Sequence, residues 1–267
     1  MLYLCWLQVQ GQGINVATYN LRYFSDHDGA KSWLERVEHV KSQISYFEMD
    51  IIGTQEGHER QLKDLTALAH YDFIGKARED GDREGEYSAI LYRSDKFEVL
   101  DQGNFWLSET PNKPSKGWDA HYKRICSWGL FAEKSTGRKF YFFNVHLDNA
   151  GEIARVEGVK LLMEKIEQRN QQEFPVFLTG DFNMTVDHES IGLVKSKLND
   201  AFEHCQTARF GPETTFNGFD LDFAKNYRID YIFVDKKLPV LKYGVLTDIR
   251  NQSFASDHFP VVIRTEL

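Results

Sequence analysis

The chain has 267 residues, of which 42% are hydrophobic and 14% aromatic, and a formal net charge of -8 at pH 7. This length and apolar content suffice for one large α/β domain with a sizeable core. The acidic balance argues against a wide basic surface that grips many phosphates of a duplex, although it permits a small positive pocket. Since no apolar run reaches about 18 residues, a membrane-spanning helix is excluded.

The first residues, MLYLCWLQVQG, have two interpretations. Val9 and Gly11 stand in the -3 and -1 relation that a signal peptidase favours, but the run is short and lacks a basic start. Residues 1–12 are therefore either a remnant signal peptide, which favours a secreted or periplasmic protein, or an edge strand of a cytoplasmic one. We expect residues 13–267 to form a single domain, because no linker, low-complexity tract or short repeat interrupts them.

Hydrophobic patterns predict strands separated by helices along the chain. Strands are expected over residues 14–19, 50–54, 71–74, 87–92, 139–145, 175–179, 229–234 and 259–263. Helices are expected over residues 33–49, with Ser32 as N-cap, and over 59–70, 152–169 and 189–198. This order, with several β-rich stretches between, predicts an α/β fold of two packed sheets with helices outside.

Polar side chains stand at the ends of six predicted strands. Four strands are followed by polar residues, which are Asn20, Glu56, His146, and Asp181 with Asn183. Two strands begin with them, at Arg228-Ile229-Asp230 and at Ser256-Asp257-His258. If the first four strands run in one direction and the last two in the opposite direction, all six ends lie along one rim of the sheets. We therefore expect these side chains to meet.

A rim of this kind gathers four carboxylates, from Glu56, Asp181, Asp230 and Asp257. Close carboxylates repel one another unless a cation or a protonated histidine compensates, so the pattern predicts a bound metal ion. Oxygen ligands without cysteine pairs favour a hard ion, Mg²⁺ or Mn²⁺. In an extended segment, Asp181 and Asn183 also point to the same face and can reach one substrate group. Taken singly, each of these residues fits an ordinary strand end, ion pair or turn equally well.

Six short motifs in this order resemble the endonuclease/exonuclease/phosphatase superfamily. They are TYN (18–20), QE (55–56), NVHLD (144–148), GDFN (180–183), RIDYIF (228–233) and SDHFPV (256–261). The superfamily includes pancreatic-type deoxyribonuclease, abasic-site endonucleases, neutral sphingomyelinases, inositol polyphosphate 5-phosphatases and CCR4-type deadenylases. The resemblance spans nearly the whole chain and implies a deoxyribonuclease-like four-layer α-β-β-α sandwich of two mixed sheets.

The resemblance also implies a role for each rim residue. Glu56 matches the main metal carboxylate, with Asn20 beside it, and Asp257 matches a second metal-site carboxylate. Asp181 matches the residue that orients or deprotonates the attacking water, and Asn183 the amide that holds this water or a phosphate oxygen.

Three further residues match groups that act on the phosphate. His146 matches a phosphate-binding histidine of the deoxyribonuclease and deadenylase branches. His258 matches the phosphate-contacting histidine, which Asp230 orients. All of these assignments are carried over from the family and do not follow from spacing alone.

Other positions are less informative about the substrate. Abasic-site endonucleases have an aspartate two residues after the asparagine, whereas Leu21 and Arg22 follow Asn20 here, so we expect no metal ligand at that position. Arg124 either reaches phosphate or pairs with a carboxylate. Trp106 and Trp118 either line a substrate cleft or fill the core, and a polar, proline-containing loop favours the cleft wall.

These patterns predict in-line attack of water on a phosphoester, assisted by Mg²⁺ or Mn²⁺. Because NVHLD is followed by a helix, as in the deadenylase branch, the first hypothesis is a nuclease such as a 3'-5' exonuclease, with single-stranded nucleic acid as a possible substrate. The alternative is a phosphodiesterase or phosphatase for a small or lipid-linked phosphoester, since the charge balance indicates no long nucleic-acid track. A non-catalytic phosphoester-binding module is the third hypothesis. We expect a monomer.

Overall fold

Two mixed six-stranded sheets form the centre of the computed structural model, which describes residues 13–25, 27–223 and 227–267. In spatial order, the first sheet contains β11 (Val240–Val245), β12 (Val261–Thr265), β1 (Ile14–Asn20), β2 (Ile51–Gln55), β4 (Ile90–Arg93) and β3 (Tyr71–Ile74). The second contains β5 (Phe97–Trp106), β6 (Ile125–Glu133), β7 (Lys139–His146), β8 (Val176–Asp181), β10 (Asp230–Val234) and β9 (Asn199–Asp200). The helices are α1 (Trp33–Tyr46), α2 (Glu59–Thr66), α3 (Glu152–Arg169) and α4 (Glu189–Lys197), with a short 3-10 turn at Gly29–Lys31.

The molecule has four layers, and an apolar cluster lies between each pair of neighbouring layers. One cluster lies between the sheets and includes Val16, Ile51, Phe140, Phe177 and Ile263. A second joins α3 and α4 to the outer face of the second sheet, and a third joins α1 and α2 to the outer face of the first. Each sheet therefore buries both faces, which explains why its central strands read as nearly continuous apolar runs. The predicted α-β-β-α sandwich is confirmed.

The predicted elements differ from the observed ones mainly at the sheet edges. Helix α3 has the predicted bounds, whereas α1 and α2 end three and four residues earlier than expected. Strands β5, β6, β9 and β11 were not predicted. Strands β5 and β11 are edge strands with exposed polar positions, so their patterns lack the continuous apolar run on which the prediction relied.

The strand directions that the rim requires are observed. Strand β1 runs parallel to β2 and β7 runs parallel to β8, while β12 is antiparallel to β1 and β10 is antiparallel to β8. The carboxyl ends of four strands and the amino ends of two therefore lie on the same edge. This arrangement depends on pairing between strands that are distant in sequence, such as β1 and β12. A local sequence pattern does not reveal such pairing.

A buried polar network holds the two sheets in register next to this rim. The Gln55 side-chain amide donates to Asn144 Oδ1 at 2.7 Å, and Thr179 Oγ1 donates to the same oxygen at 3.0 Å. Asn144 Nδ2 in turn donates to the backbone carbonyls of Thr54 and Ala89 at 2.7 and 2.9 Å. A Cβ atom at Gly53 would lie 2.0 Å from Thr179 Oγ1, so only glycine fits where β2 meets the network.

The alanine substitution at Asn144 tests the contribution of this network to stability. Removing the amide leaves several buried polar groups without their partners, and we expect the free energy of unfolding to fall by about 2–4 kcal/mol. Urea unfolding of the Asn144→Ala variant measures the change. Asn112→Ala, at an exposed loop position, is the matched control and should change stability by less than about 0.5 kcal/mol. A fall of similar size in both variants would contradict the prediction.

The structure does not test every prediction about the ends and the domain organisation of the chain. Residues 1–12, predicted as a remnant signal peptide or an edge strand, lie outside the described residues. Within the described ranges, no helix combines the length and the apolar character that crossing a membrane requires. The single domain over residues 13–267 stays a prediction.

Candidate active site

The predicted rim residues meet around Asp181, which is buried at the end of β8. Asn20 Nδ2, at the end of β1, donates to Asp181 Oδ2 and to Glu56 Oε1, each at 3.1 Å. The Nε2 atoms of His146 and His258 lie 3.6 and 3.7 Å from Asp181 Oδ2. One carboxylate oxygen is therefore surrounded by groups from both sheets, as the strand ends predicted.

Three residues of the site adopt left-handed backbone conformations. The φ angles of Arg22, Glu56 and Asn183 are 56°, 62° and 51°, in a region that non-glycine residues rarely adopt. Asn183 follows β8 in this conformation, its N–H donates to Asp181 Oδ1 at 2.9 Å, and its Nδ2 donates to the Leu147 carbonyl at 3.0 Å. The prediction that Asp181 and Asn183 share one extended segment is therefore wrong, although both side chains line the same cavity. Backbone strain of this kind concentrates at functional sites.

Asp181 is held in an environment that favours its protonated form. Burial and the negative charge of Asp230 raise the pKa of Asp181 to about 7, against the opposing effect of the His258 imidazole. A carboxyl group with a pKa near neutrality is well suited to accept a proton at physiological pH. Its Oδ1 already accepts the Asn183 N–H, so Oδ2 is the oxygen that faces the two histidines.

The two histidines differ in charge because their neighbours differ. Burial lowers the pKa of His258, but the carboxylates of Asp230 and Asp181 outweigh burial and raise this pKa well above its ordinary value. His258 Nδ1 lies 2.9 Å from Asp230 Oδ2, which fixes the orientation of the ring. Burial and the guanidinium groups of Arg124 and Arg78 lower the pKa of His146 well below its ordinary value. The site thus pairs a protonated His258 with a neutral His146.

The carboxylates at the other side of the site suit a divalent cation. Burial and the negative charge of Glu56 raise the pKa of Asp257, despite the opposing charges of His258 and Arg22. Glu56 also contributes to the raised pKa of Asp181. A cation among these oxygen donors would relieve their repulsion, and hard oxygen donors suit ions such as Mg²⁺. Glu56 and Asp257 are the residues that would hold it.

Asn20 contacts these carboxylates through its nitrogen. Its Oδ1 accepts the Arg22 N–H at 3.0 Å, while Nδ2 faces Glu56 and Asp181. In this conformation Asn20 acts as a hydrogen-bond donor, and the metal ligand predicted at this position stays a prediction. Arg22 takes the place where abasic-site endonucleases have an aspartate, and its Nη1 lies 3.8 Å from Asp257 Oδ2.

A second group of potential ligands lies within the described residues. One ligand atom each of Asp181, Asp230 and His258 falls within 4.8 Å of the others. However, the 2.9 Å contact between His258 and Asp230 already uses His258 Nδ1 and Asp230 Oδ2. The other oxygen of Asp230, Oδ1, is buried without a hydrogen-bond partner among the described residues. Both this group and the Glu56 and Asp257 carboxylates therefore offer oxygen ligands to a cation, and the metal site at Glu56 and Asp257 stays a prediction.

The rim residues line a cavity of about 370 Å³. Its lining residues are Arg22, Tyr23, Glu56, Arg78, Glu86, Tyr122, Arg124, His146, Asn149, Asp181, Asn183, Phe216, Tyr227, Ile229, Asp257 and His258. Asn20 and Asp230 lie directly behind this lining, where Asn20 contacts Asp181 and Asp230 contacts His258. The volume is at the lower end of the range for sites that bind small molecules.

Of the three residues predicted to contact the substrate, Arg124 lines the cavity, whereas Trp106 and Trp118 do not. Arg124 lines the cavity and its Nε donates to Asp148 Oδ2 at 3.2 Å, so it pairs with a carboxylate, and its contact with phosphate stays a prediction. Trp106 and Trp118 do not line it, which corrects the prediction of a cleft wall. Trp106 is the last residue of β5 and is 5% exposed, and its indole N–H donates to the Arg78 carbonyl at 2.8 Å. It packs beneath the loop that carries Arg78, so it supports the cavity from behind.

The sequence analysis missed several cavity residues, most of them on loops. Arg78 and Glu86 lie in the loop between β3 and β4, and their side chains pair at 2.7 Å. Burial and the charge of Glu56 raise the pKa of Glu86 to about 7, although Arg78 opposes this shift. The density of charged residues between Gly75 and Glu86 is a sequence signal, but it is equally typical of a solvated loop.

Comparisons with known proteins agree with this geometry. The model described as "Endonuclease/Exonuclease/phosphatase family" matches residues 17–258. A solved member of this family from Bacteroides thetaiotaomicron is 45% identical with a TM-score of 0.91, over 96% of this chain and 98% of that chain. A solved mannosyl-6-phosphatase of the same species is 45% identical with a TM-score of 0.90, over 95% of this chain and 100% of that chain.

More distant structures share the fold. The human nocturnin catalytic domain with bound sulfate has a TM-score of 0.75 at 18% identity, over 95% of this chain and 93% of that chain. At this identity the similarity concerns the fold alone. The motifs, the two-sheet architecture and the match over residues 17–258 together establish that the chain belongs to the endonuclease/exonuclease/phosphatase family.

Proposed function

We propose that this protein is a divalent-metal-dependent phosphatase that removes a terminal phosphate from a small sugar phosphate. The observation that carries the proposal is one small cavity in which a proton acceptor, Asp181, faces His258 and the carboxylates of Glu56 and Asp257. These are the groups that phosphoester hydrolysis requires. The 45% identity to a mannosyl-6-phosphatase favours a sugar phosphate as the substrate class.

The size and charge of the site favour a small substrate over nucleic acid. A cavity of about 370 Å³ holds a molecule of sugar-phosphate size. Nucleic acid needs a positive track along several nucleotides, whereas this chain carries a net charge of -8.

A nuclease is the second candidate, because exposed aromatic rings flank the cavity. Tyr122 and Tyr227 line it and are 43% and 44% exposed, so a nucleobase could stack on either ring. The same rings also suit the apolar face of a sugar. Substrate tests therefore have to include both classes.

In the proposed mechanism, the residues of this chain position water and move its proton. Glu56 and Asp257 would hold a divalent cation, which would supply neutralisation of charge on the phosphate and on the departing oxygen. Asp181 orients the attacking water and accepts its proton at Oδ2, while the Nε2–H of protonated His258 donates to a phosphate oxygen. Asp230 holds the His258 ring through Nδ1 and stabilises its positive charge. Neutral His146 and Asn183 complete the contacts to the phosphate group.

A substrate panel tests the proposed function. Phosphate release is measured for mannose 6-phosphate, other hexose phosphates and p-nitrophenyl phosphate, and cleavage is measured for bis(p-nitrophenyl) phosphate and single-stranded RNA and DNA. We expect kcat/KM for at least one hexose phosphate to exceed that for the diester by about 100-fold or more, because a cavity of about 370 Å³ matches the size of one sugar phosphate. Shortening of oligonucleotides without phosphate release from any sugar would instead establish the nuclease.

Removal of the metal should abolish turnover, and Glu56 should be needed to restore it. We expect EDTA to stop phosphate release and Mg²⁺ or Mn²⁺ to restore it. An ion that binds the folded protein but not the unfolded chain also raises the melting temperature. This Mg²⁺-dependent rise should disappear in Glu56→Gln and persist in Glu59→Gln, a neighbouring control on α2 outside the cavity. An unchanged Mg²⁺ effect in Glu56→Gln would place the cation elsewhere.

A further inference from the structure

One end of the cavity contains polar groups that the hydrolytic mechanism does not use. Arg78 and Arg124 are 8% and 4% exposed, and both line the cavity together with Glu86. Arg124 donates through Nε to Asp148 and through Nη2 to Asn149, but among the described residues its buried Nη1 has no hydrogen-bond partner. Buried donors without partners are rare and indicate a missing ligand or water.

Glu86 supplies acceptor oxygens beside these donors. Arg78 Nη1 donates to Glu86 Oε2 at 2.7 Å, which orients the carboxyl group at the cavity wall. Arg78 Nε lies 3.4 Å from Glu79 Oε1 and makes no hydrogen bond within the part of the chain that the structure describes. Rigid donors and an acceptor thus stand side by side at this end.

An aromatic ring completes this end of the cavity. The guanidinium carbons of Arg78 and Arg124 lie 4.9 and 5.5 Å from the centroid of the Tyr122 ring. These contacts stabilise both arginines and the ring in one arrangement. Since Tyr122 is 43% exposed, part of its surface remains available to the apolar side of a ligand.

The charges at this end balance, which decides what kind of ligand it suits. Arg78 pairs with Glu86 at 2.7 Å, and Arg124 pairs with Asp148 at 3.2 Å. Nearby, Lys123 pairs with Glu79 at 3.2 Å. Each positive side chain therefore has a negative partner, so this end has no surplus charge for a second phosphate. Paired donors and acceptors instead suit a neutral polar group.

We propose that Arg78, Glu86 and Arg124, with Tyr122, form a subsite that binds the ring hydroxyls of the sugar. The proposal rests on the proposed function and names the part of the molecule that recognises the sugar rather than the phosphate. A hydroxyl donates to the Glu86 carboxyl group and accepts from a guanidinium, and the ring packs against Tyr122. The subsite lies next to the reaction centre, because its residues line the same cavity as His146 and Asp181.

Glu86→Ala tests the subsite through a comparison of two substrates. A site built to bond hydroxyls discriminates strongly against molecules without them, so we expect kcat/KM for mannose 6-phosphate to fall about ten-fold more than kcat/KM for p-nitrophenyl phosphate. Glu86→Gln keeps an acceptor oxygen and should recover part of the difference. Glu84→Ala is the matched control, since Glu84 is exposed on the same loop and lies outside the cavity lining. Melting temperatures check that all variants fold.

A binding experiment separates this subsite from the proposed function. In the Asp181→Asn background with Mg²⁺, calorimetry compares mannose 6-phosphate with inorganic phosphate. We expect the sugar phosphate to bind more tightly, and Glu86→Ala and Glu86→Gln to reduce this advantage.

If the advantage depends on Glu86 although the wild type releases no phosphate from sugars, the subsite stands and the phosphatase fails. If the wild type turns over sugar phosphates but neither Glu86 variant changes the two-substrate ratio or the binding advantage, the subsite is overturned and the phosphatase stands. Equal losses on both substrates also overturn it, because they indicate a structural role.

Discussion

The Asp181→Asn variant is expected to lose about 1,000-fold in kcat, which is within the range that a positioned proton acceptor contributes. The amide keeps the size of the side chain but cannot accept the proton of the attacking water at Oδ2. KM should change little, because the phosphate is held by other groups. The measurement is steady-state phosphate release with saturating Mg²⁺.

Asp187→Asn is the matched control for this prediction. Asp187 is exposed and lies six residues further along the same segment. Its substitution should leave kcat within about two-fold of the wild type, as expected for a surface change remote from the reacting groups. Comparable activity in Asp181→Asn and the wild type would rule out the proposed role of Asp181.

The Asp181→Asn substitution is expected to leave the metal-free protein at least as stable as the wild type. The pKa of Asp181 is raised to about 7 by burial and by Asp230, whereas an unfolded chain has an aspartate pKa near about 3.9. The stability associated with this proton is therefore complete below the unfolded pKa and is lost as the pH rises through the folded one. Melting temperatures in EDTA at about pH 8, above both pKa values, should not fall in Asp181→Asn. A large fall would mean that the carboxylate mainly supports the fold.

Asp230→Asn and His258→Gln are expected each to lower kcat by about 100-fold or more, because a charged imidazole that stabilises the phosphate and the carboxylate that orients it act as a unit. Asp230 Oδ2 lies 2.9 Å from His258 Nδ1 and helps to raise the pKa of the imidazole well above its ordinary value. With an amide at position 230, both the ring orientation and the positive charge lose their support. The double variant should be about as slow as the slower single variant.

A second buried histidine provides the control for this pair. His39 Nε2 lies 2.6 Å from Asp248 Oδ2, so the same type of contact occurs outside the cavity lining. Asp248→Asn should leave kcat within about two-fold of the wild type while changing stability. If the losses from Asp230→Asn and His258→Gln simply multiplied in the double variant, the two residues would act independently and the proposed pairing would be wrong.

Much of the fold could be predicted because buried strands and helices leave local patterns. The helix Glu152–Arg169 has the bounds that its apolar positions indicate, and the central strands read as apolar runs that end in polar residues. Edge strands such as Phe97–Trp106 were missed, since only part of each is buried and the alternation is interrupted. A prediction that relies on apolar runs recovers the interior of a sheet better than its margins.

Site residues at strand ends were predicted more completely than site residues on loops. Asn20, His146, Asp181 and Asp230 occupy strand ends, so a correct strand assignment also places them on one rim. Trp106 was assigned to a loop and a cleft wall, but it belongs to a strand and its indole N–H bonds the Arg78 carbonyl. Its direction depends on which face of β5 meets the loop below, and the surrounding sequence does not show this.

By itself, the sequence determined the family, the two-sheet architecture and the residues around Asp181, because strand ends and short motifs are local features of the chain. Only the tertiary structure decided that Asn183 leaves the strand in a left-handed conformation, that Asn20 presents its nitrogen to the carboxylates, and that Glu86 enters the cavity. These outcomes depend on contacts between segments distant in sequence. The direction of a side chain is set by the partners it meets after the sheets have paired, and these partners are not encoded next to it.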